Sequence, residues 1–185
     1  MTDERIPDRE QAMVGSGSET TSWQLARDRL ANPEYQRTSW LATTRPDGRP
    51  HLMPVIGSWI DDEIYLIAGE GTQKGRNLAA NDRCVLATTS TTLPSLDIVL
   101  EGRAVPVTDA DAVRRLAEQF TSSGWPLEAD GDKVRGPHAP TAGPPPYTIY
   151  RIVPSKGFGL PGMHGMDQFD QSELPKPTRW EFGDS

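Results

Sequence analysis

The stretch Leu41-Ala42-Thr43-Thr44-Arg45-Pro46-Asp47-Gly48-Arg49-Pro50-His51-Leu52-Met53-Pro54-Val55 decides the fold class. Thr38 to Thr44 is rich in β-branched and aromatic residues and reads as a strand. Pro46-Asp47-Gly48-Arg49 then turns the chain, because proline presets φ and glycine accepts a positive φ. A second strand follows over roughly Pro50 to Trp59. Pro50 and Pro54 have no N–H to give, so this strand cannot build a complete ladder. It reads either as an edge or corner strand, or as one beside which a planar ring lies.

The same grammar continues on the C-terminal side. Asp61-Asp62 turns the chain into a third strand, Ile64 to Ala68. Gly69-Glu70-Gly71-Thr72 leads into a helical stretch from Gln73 to Ala80, with Thr72 as its N-cap. Cys84 to Thr89 and Leu96 to Val107 read as strands four and five, with Gly102 a bulge or bend. Thr108 and Asp111 are spaced like a capping box. In the helix they open, Val113, Leu116, Ala117 and Phe120 make one apolar face, and Gly124 ends it. Residues 125–146 read as a long polar loop of the kind that is usually functional or mobile. Tyr147 to Val153 is a sixth strand. Six short strands with two helices between them predict a mainly β, α+β fold: a six-stranded antiparallel barrel over residues 21–160. Nothing inside 33–160 has the composition of a linker.

The ends differ from this body. Residues 1–20 carry Asp3, Glu4, Asp8, Glu10 and Glu19 against Arg5 and Arg9, and read as a disordered acidic tail. Residues 22–31 fit a short helix packing Trp23, Leu25 and Leu30. Residues 161–185 form a second acidic, Gly/Pro-rich tail, possible material for crossing a dimer interface. The chain's 185 residues carry a formal charge of −7, most of it in these ends, so no basic stripe for nucleic acid exists. Cys84 is the single cysteine, which excludes an internal disulfide and a polycysteine metal site. Inside an apolar strand it reads as an inert thiol. His51, His138 and His164 are scattered, so no metal centre is expected. With no signal peptide and no long apolar run, a cytoplasmic, non-membrane protein is expected.

The chemistry concentrates in Thr72-Gln73-Lys74-Gly75-Arg76-Asn77-Leu78. A Gly-rich loop entering a helix N-terminus is an anion site, because free N–H groups and the helix dipole point at the ligand. Lys74 and Arg76 suit a helix start poorly unless a phosphate compensates them. The alternative is a solvated helix start with two surface bases.

Taken in order, Leu41 to His51, Lys74 to Leu78, and Leu96-Asp97-Ile98-Val99-Leu100-Glu101-Gly102-Arg103-Ala104 resemble the flavin/deazaflavin oxidoreductase superfamily, the group of pyridoxamine 5′-phosphate oxidase-like split barrels. Thr178-Arg179-Trp180-Glu181-Phe182 also resembles closing residues in some members. The resemblance implies a homodimeric split barrel that binds a cofactor, F420 or alternatively FMN, and transfers hydride to a small planar substrate. It implies phosphate contacts at Thr72, Gln73, Lys74 and Asn77. It lays the ring along Met53, Pro54, Val55 and Ile56, near Ala68 and Gly69, with Arg179 or Trp180 completing the site from the partner. The Lys-x-Arg-Asn-Leu spelling resembles the deazaflavin branch. The substrate-binding C-terminal pattern of pyridoxamine phosphate oxidase itself is missing. The rival class is a non-catalytic barrel that holds flavin or haem.

Overall fold

A computed structural model describes residues 5–13, 15, 17–32 and 37–183; the outermost residues of both expected tails lie outside it. In chain order the elements are β1 (Arg9–Ala12), α1 (Trp23–Ala31), β2 (Arg37–Thr44), β3 (Pro50–Val55), β4 (Gly57–Ile60), β5 (Glu63–Gly69), α2 (Gln73–Ala80), β6 (Arg83–Ser90), β7 (Leu96–Pro106), α3 (Ala110–Ser122), β8 (Glu128–Asp130), β9 (Lys133–Arg135), β10 (Tyr147–Pro161) and β11 (Thr178–Glu181). Hydrogen bonding orders the sheet β1-β11-β10-β7-β6-β2-β3, with β4 on β5, β5 on β10, and β8 joined to β10 through β9. The pairings β1–β11, β10–β11, β10–β5, β10–β9, β4–β5 and β8–β9 are all antiparallel. The fold is therefore mainly antiparallel β with three helices, as expected from the sequence.

Contacts divide the chain into two compact units. One comprises Met1–Trp40, Val85–Gly102 and Pro154–Ser185; the other comprises Leu41–Cys84 and Arg103–Val153. Neither is continuous in sequence, and β2, β6, β7 and β10 each run from one into the other. A boundary that falls inside strands leaves no linker composition to read.

The first unit corrects the reading of the ends as tails. Residues 9–12 are a strand, paired Arg9↔Glu181 through Ala12↔Thr178. β11 in turn pairs with β10, Lys156↔Glu181 through Gly159↔Thr178. Trp180 is fully buried, edge-on to Trp23 at 5.2 Å between ring centroids, and its indole N–H donates to Thr21 O at 3.1 Å. Phe182 packs edge-on against Trp23 at 5.0 Å. A Cβ on Gly159 would stand 2.3 Å from Trp180 Cη2, so the ring lies directly on the β10 backbone. α1 forms as expected, capped by Ser22, whose Oγ accepts the Leu25 N–H at 3.3 Å. Trp23 and Leu30 are buried, but Leu25 points to solvent.

In the second unit, α3 lays Val113, Leu116, Ala117 and Phe120 on Tyr65 and Ile67 of β5 and Tyr147 and Ile149 of β10. Its cap is Asp109 rather than Thr108: Asp109 Oδ1 accepts the Ala112 N–H at 2.8 Å, while Asp111 pairs with Arg114 at 2.9 Å. The capping spacing is right but shifted by one residue, a frame that the polar run Thr108-Asp109-Ala110-Asp111 leaves open. The expected second strand is two, β3 and β4, broken at Ile56, because β4 leaves to pair with β5. Residues 125–146 also depart from expectation. They contain the β8–β9 hairpin, paired Glu128↔Arg135 to Asp130↔Lys133, and bury Leu127, Val134, Ala139 and Ala142 in the core under α3. Strands of three residues carry too little periodicity to announce themselves.

Candidate functional site

The second unit builds the candidate site where β5 ends and α2 begins. Thr72 caps α2: its Oγ1 accepts the Gly75 N–H at 3.1 Å and donates to Gly69 O at 2.7 Å. The helix start lies so close to Gly69 that a Cβ on Gly75 would be 2.3 Å from the Gly69 carbonyl oxygen. Gly69 is pressed from the other side. Its N–H donates to Ala142 O at 2.9 Å, and a Cβ there would be 2.4 Å from that oxygen and 2.9 Å from Pro144 O. The segment 139–144 therefore lies against the Gly69–Thr72 loop. Lys133 of β9 also reaches this loop: its Nζ is 2.9 Å from Glu70 Oε1 and donates to Thr148 Oγ1 at 3.0 Å.

The polar side chains of α2 are nearly all committed inside the chain. Gln73 Nε2 donates to Asn77 Oδ1 at 2.7 Å, and fully buried Asn77 donates from Nδ2 to Thr43 Oγ1 at 2.9 Å. Arg76 reaches back to Gly71 O at 2.6 Å and Gln73 Oε1 at 3.2 Å. Lys74 is different. It is 2% exposed, and its ammonium donates to the Thr141 carbonyl. Burial pushes its pKa down. Among the described residues no carboxylate pairs with it, so the charge is buried against one carbonyl dipole.

Arg45 and His51 flank the turn between β2 and β3. Arg45, at the start of the β2–β3 turn, has its Nε buried without an acceptor. His51 of β3 lies within electrostatic reach of Arg45 and Lys74; burial first, then those two charges, push its pKa down. The nearby acid, Asp47, is taken by Arg49 at 2.9 Å from Nε and 2.7 Å from Nη2. Neither Arg45 nor His51 is among the expected site residues.

The remaining expected residues fall as follows. Thr72, Gln73, Lys74 and Asn77 share the first turns of α2 with Gly69 at the adjoining strand end. Met53, Pro54, Val55 and Ile56 lie along and just beyond β3, the terminal strand of its sheet, with Leu52 57%, Met53 37% and Ile56 41% exposed. Ala68 is fully buried between its neighbours in β5. In the first unit, Arg179 is 2.8 Å from Gln11 Oε1 and 3.0 Å from Glu181 Oε1, and Trp180 is core. Cys84 is buried, with its thiol pushed up to about 12 by burial and then by Asp82. Among the described residues no helix is long and apolar enough to cross a membrane, and no three His, Cys, Asp or Glu gather as a metal site.

The fold recurs in solved structures. A conserved hypothetical protein from Mycobacterium tuberculosis aligns at a TM-score of 0.57 and 23% identity, over 82% of this chain and 91% of that one. A FAD-binding protein from Mesorhizobium loti aligns at 0.52 and 19%, over 76% and 95%. A putative pyridoxamine 5′-phosphate oxidase from Listeria innocua aligns at 0.51 and 16%, over 74% and 96%. At these identities the likeness concerns the fold. No curated protein matches. Residues 27–158 match the pyridoxamine 5′-phosphate oxidase family, which spans β2 through most of β10 and includes the whole candidate site. The α+β split barrel is that family's fold, and the family includes flavin oxidoreductases. The chain thus belongs to the pyridoxamine 5′-phosphate oxidase family.

Proposed function

We propose that this protein is an oxidoreductase that binds a phosphate-bearing flavin-type cofactor, F420 in the first reading and FMN as the alternative. The observation that carries the proposal is Lys74: an ammonium 2% exposed, beside the capped start of α2, facing no carboxylate among the described residues. A buried charge without a counter-charge costs several kcal/mol (roughly) unless a partner arrives. A phosphate supplies that partner, so the residues present fit the group. The Lys74-Gly75-Arg76-Asn77-Leu78 spelling favours the deazaflavin. When bound, such a cofactor supplies hydride transfer, and the chain's part is to hold, orient and shield it.

The exposed apolar edge of β3 suits this reading. Leu52, Met53 and Ile56 leave apolar surface and unpaired backbone where a flat ring can lie. A second copy of the chain covering the rest of that edge would give the homodimer. The reading predicts that F420 or FMN quenches or shifts fluorescence saturably, and that riboflavin, lacking the phosphate, binds at least about tenfold more weakly than FMN. Lys74→Ala should weaken the phosphorylated ligands by a similar factor and leave riboflavin unchanged. Binding of neither cofactor would overturn the proposal. Equal binding of FMN and riboflavin would remove Lys74 from it.

A further inference from the structure

We propose that residues 139–143 are a removable plug: in the free protein the carbonyls of Thr141 and Ala142 hold donors that a ligand's oxygens take, and the segment lifts off the start of α2 when the ligand binds. As regulation of the candidate site, this rests on the reading of Lys74 as a ligand contact given above.

Lys74 is 2% exposed, and its ammonium donates to the Thr141 carbonyl. For a ligand oxygen to take that bond, the carbonyl has to leave. The next carbonyl does the same to the backbone: Ala142 O accepts the Gly69 N–H at 2.9 Å. Two consecutive carbonyls of one segment therefore hold one donor on α2 and one on the loop that enters it. Both donors come free together if the segment lifts. An internal acceptor at a buried ammonium lowers the cost of an empty site, since the charge is not left without any partner.

The segment can leave as one piece. Its other backbone bonds are internal, with the Ala142 and Gly143 N–H groups both donating to Ala139 O at 3.0 Å. Of residues 137–146 only Ala139 and Ala142 are buried, and each brings a single methyl. That is little apolar surface to lose, and elements held so lightly are the ones that open first. Pro144, Pro145 and Pro146, which follow, have no N–H with which to tie the chain down. One latch spans both ends. The hydroxyl of buried Tyr147 lies 2.9 Å from Gly143 O and 3.0 Å from Pro137 O, and Trp125 Nε1 donates to the same Pro137 O at 3.2 Å.

A ligand then binds only those molecules whose segment is open, and its apparent affinity is lowered by that fraction. Loosening the closed segment raises affinity. Loosening a fixed wall of the site would lower it.

The test measures amide hydrogen exchange of the full chain by NMR, free and saturated with FMN or, separately, with F420. A turn this short protects little once it is off the core, so Ala142 and Gly143 should exchange about tenfold faster or more in the complex, while the α2 amide of Arg76 does not speed up. Two variants loosen the segment without touching Lys74. Tyr147→Phe removes the latch and should tighten cofactor binding about two- to tenfold. Gly143→Ala acts in the same direction, because Gly143 has φ +75° and its new methyl would stand 2.7 Å from Thr72 Cγ2. Binding with the exchange of 139–143 unchanged or slowed would overturn the plug and leave the cofactor reading standing. So would weaker binding in both variants. Binding seen only in the loosened variants would support the plug. If neither cofactor binds the wild type or either variant, the plug and the cofactor reading fall together.

Discussion

Gly75→Ala inverts an ordinary expectation. Gly75 is the third residue of α2, and in a solvated helix replacing glycine with alanine gains roughly 1 kcal/mol, because alanine loses less backbone entropy. Here the new methyl would stand 2.3 Å from Gly69 O, 3.1 Å from Gly69 C and 3.2 Å from Glu70 Cα. Ordinary contact begins near 3.4 Å, so the first distance is short by more than 1 Å. All three atoms are backbone, and Gly69 is itself held by Ala142 O at 2.9 Å, so no flexible side chain can give way. Overpacking of this kind costs about 1–3 kcal/mol, and more where backbone must move. The propensity gain offsets about 1 kcal/mol of that, which leaves a net loss of up to about 2 kcal/mol. Urea denaturation of wild type and variant should show a lower midpoint at unchanged slope. Moving the helix start also displaces Thr72 and Lys74, so phosphate-dependent ligand affinity should fall with stability. A variant more stable than wild type by about 1 kcal/mol would show that α2 does not rest on the Gly69 carbonyl. The geometry given for the site would then be wrong.

Two further outcomes follow from the same packing. Cys84, whose thiol is raised from 9.0 to about 12, should react with a disulfide reagent at neutral pH only on unfolding. Because the folded thiol holds its proton longer than the unfolded one, stability should fall as pH rises from 9.0 toward about 12. Cys84→Ala should remove that part of the slope, and an unchanged profile would contradict the burial. Asp109→Ala should cost about 1 kcal/mol through loss of the α3 cap, measured by thermal unfolding, whereas Thr108→Ala should be near neutral. The reverse order would restore the capping box first read from the sequence.

The sequence by itself determined most of the local structure of the second unit. Thr72 before Gln73-Lys74-Gly75 specifies a capped helix, the β2–β3 turn follows from Pro46-Asp47-Gly48, and the apolar spacing of α3 marks its buried face. These features depend on residues within a few positions of one another, so local chemistry suffices. The ordered motifs also pointed to the family. Tertiary structure alone decided what depends on distant partners. Arg9–Ala12 is a strand only because β11 lies beside it, and Trp180 is core only because β10 keeps Gly157 and Gly159 beneath its ring. Segment 125–146 becomes a cover for α3 and a clamp on Gly69 through three-residue strands and single carbonyls. The surroundings of Lys74 belong to this second class. Its burial comes with a carbonyl partner, Thr141, 67 residues away, and a charge's neighbours are set by where the chain returns.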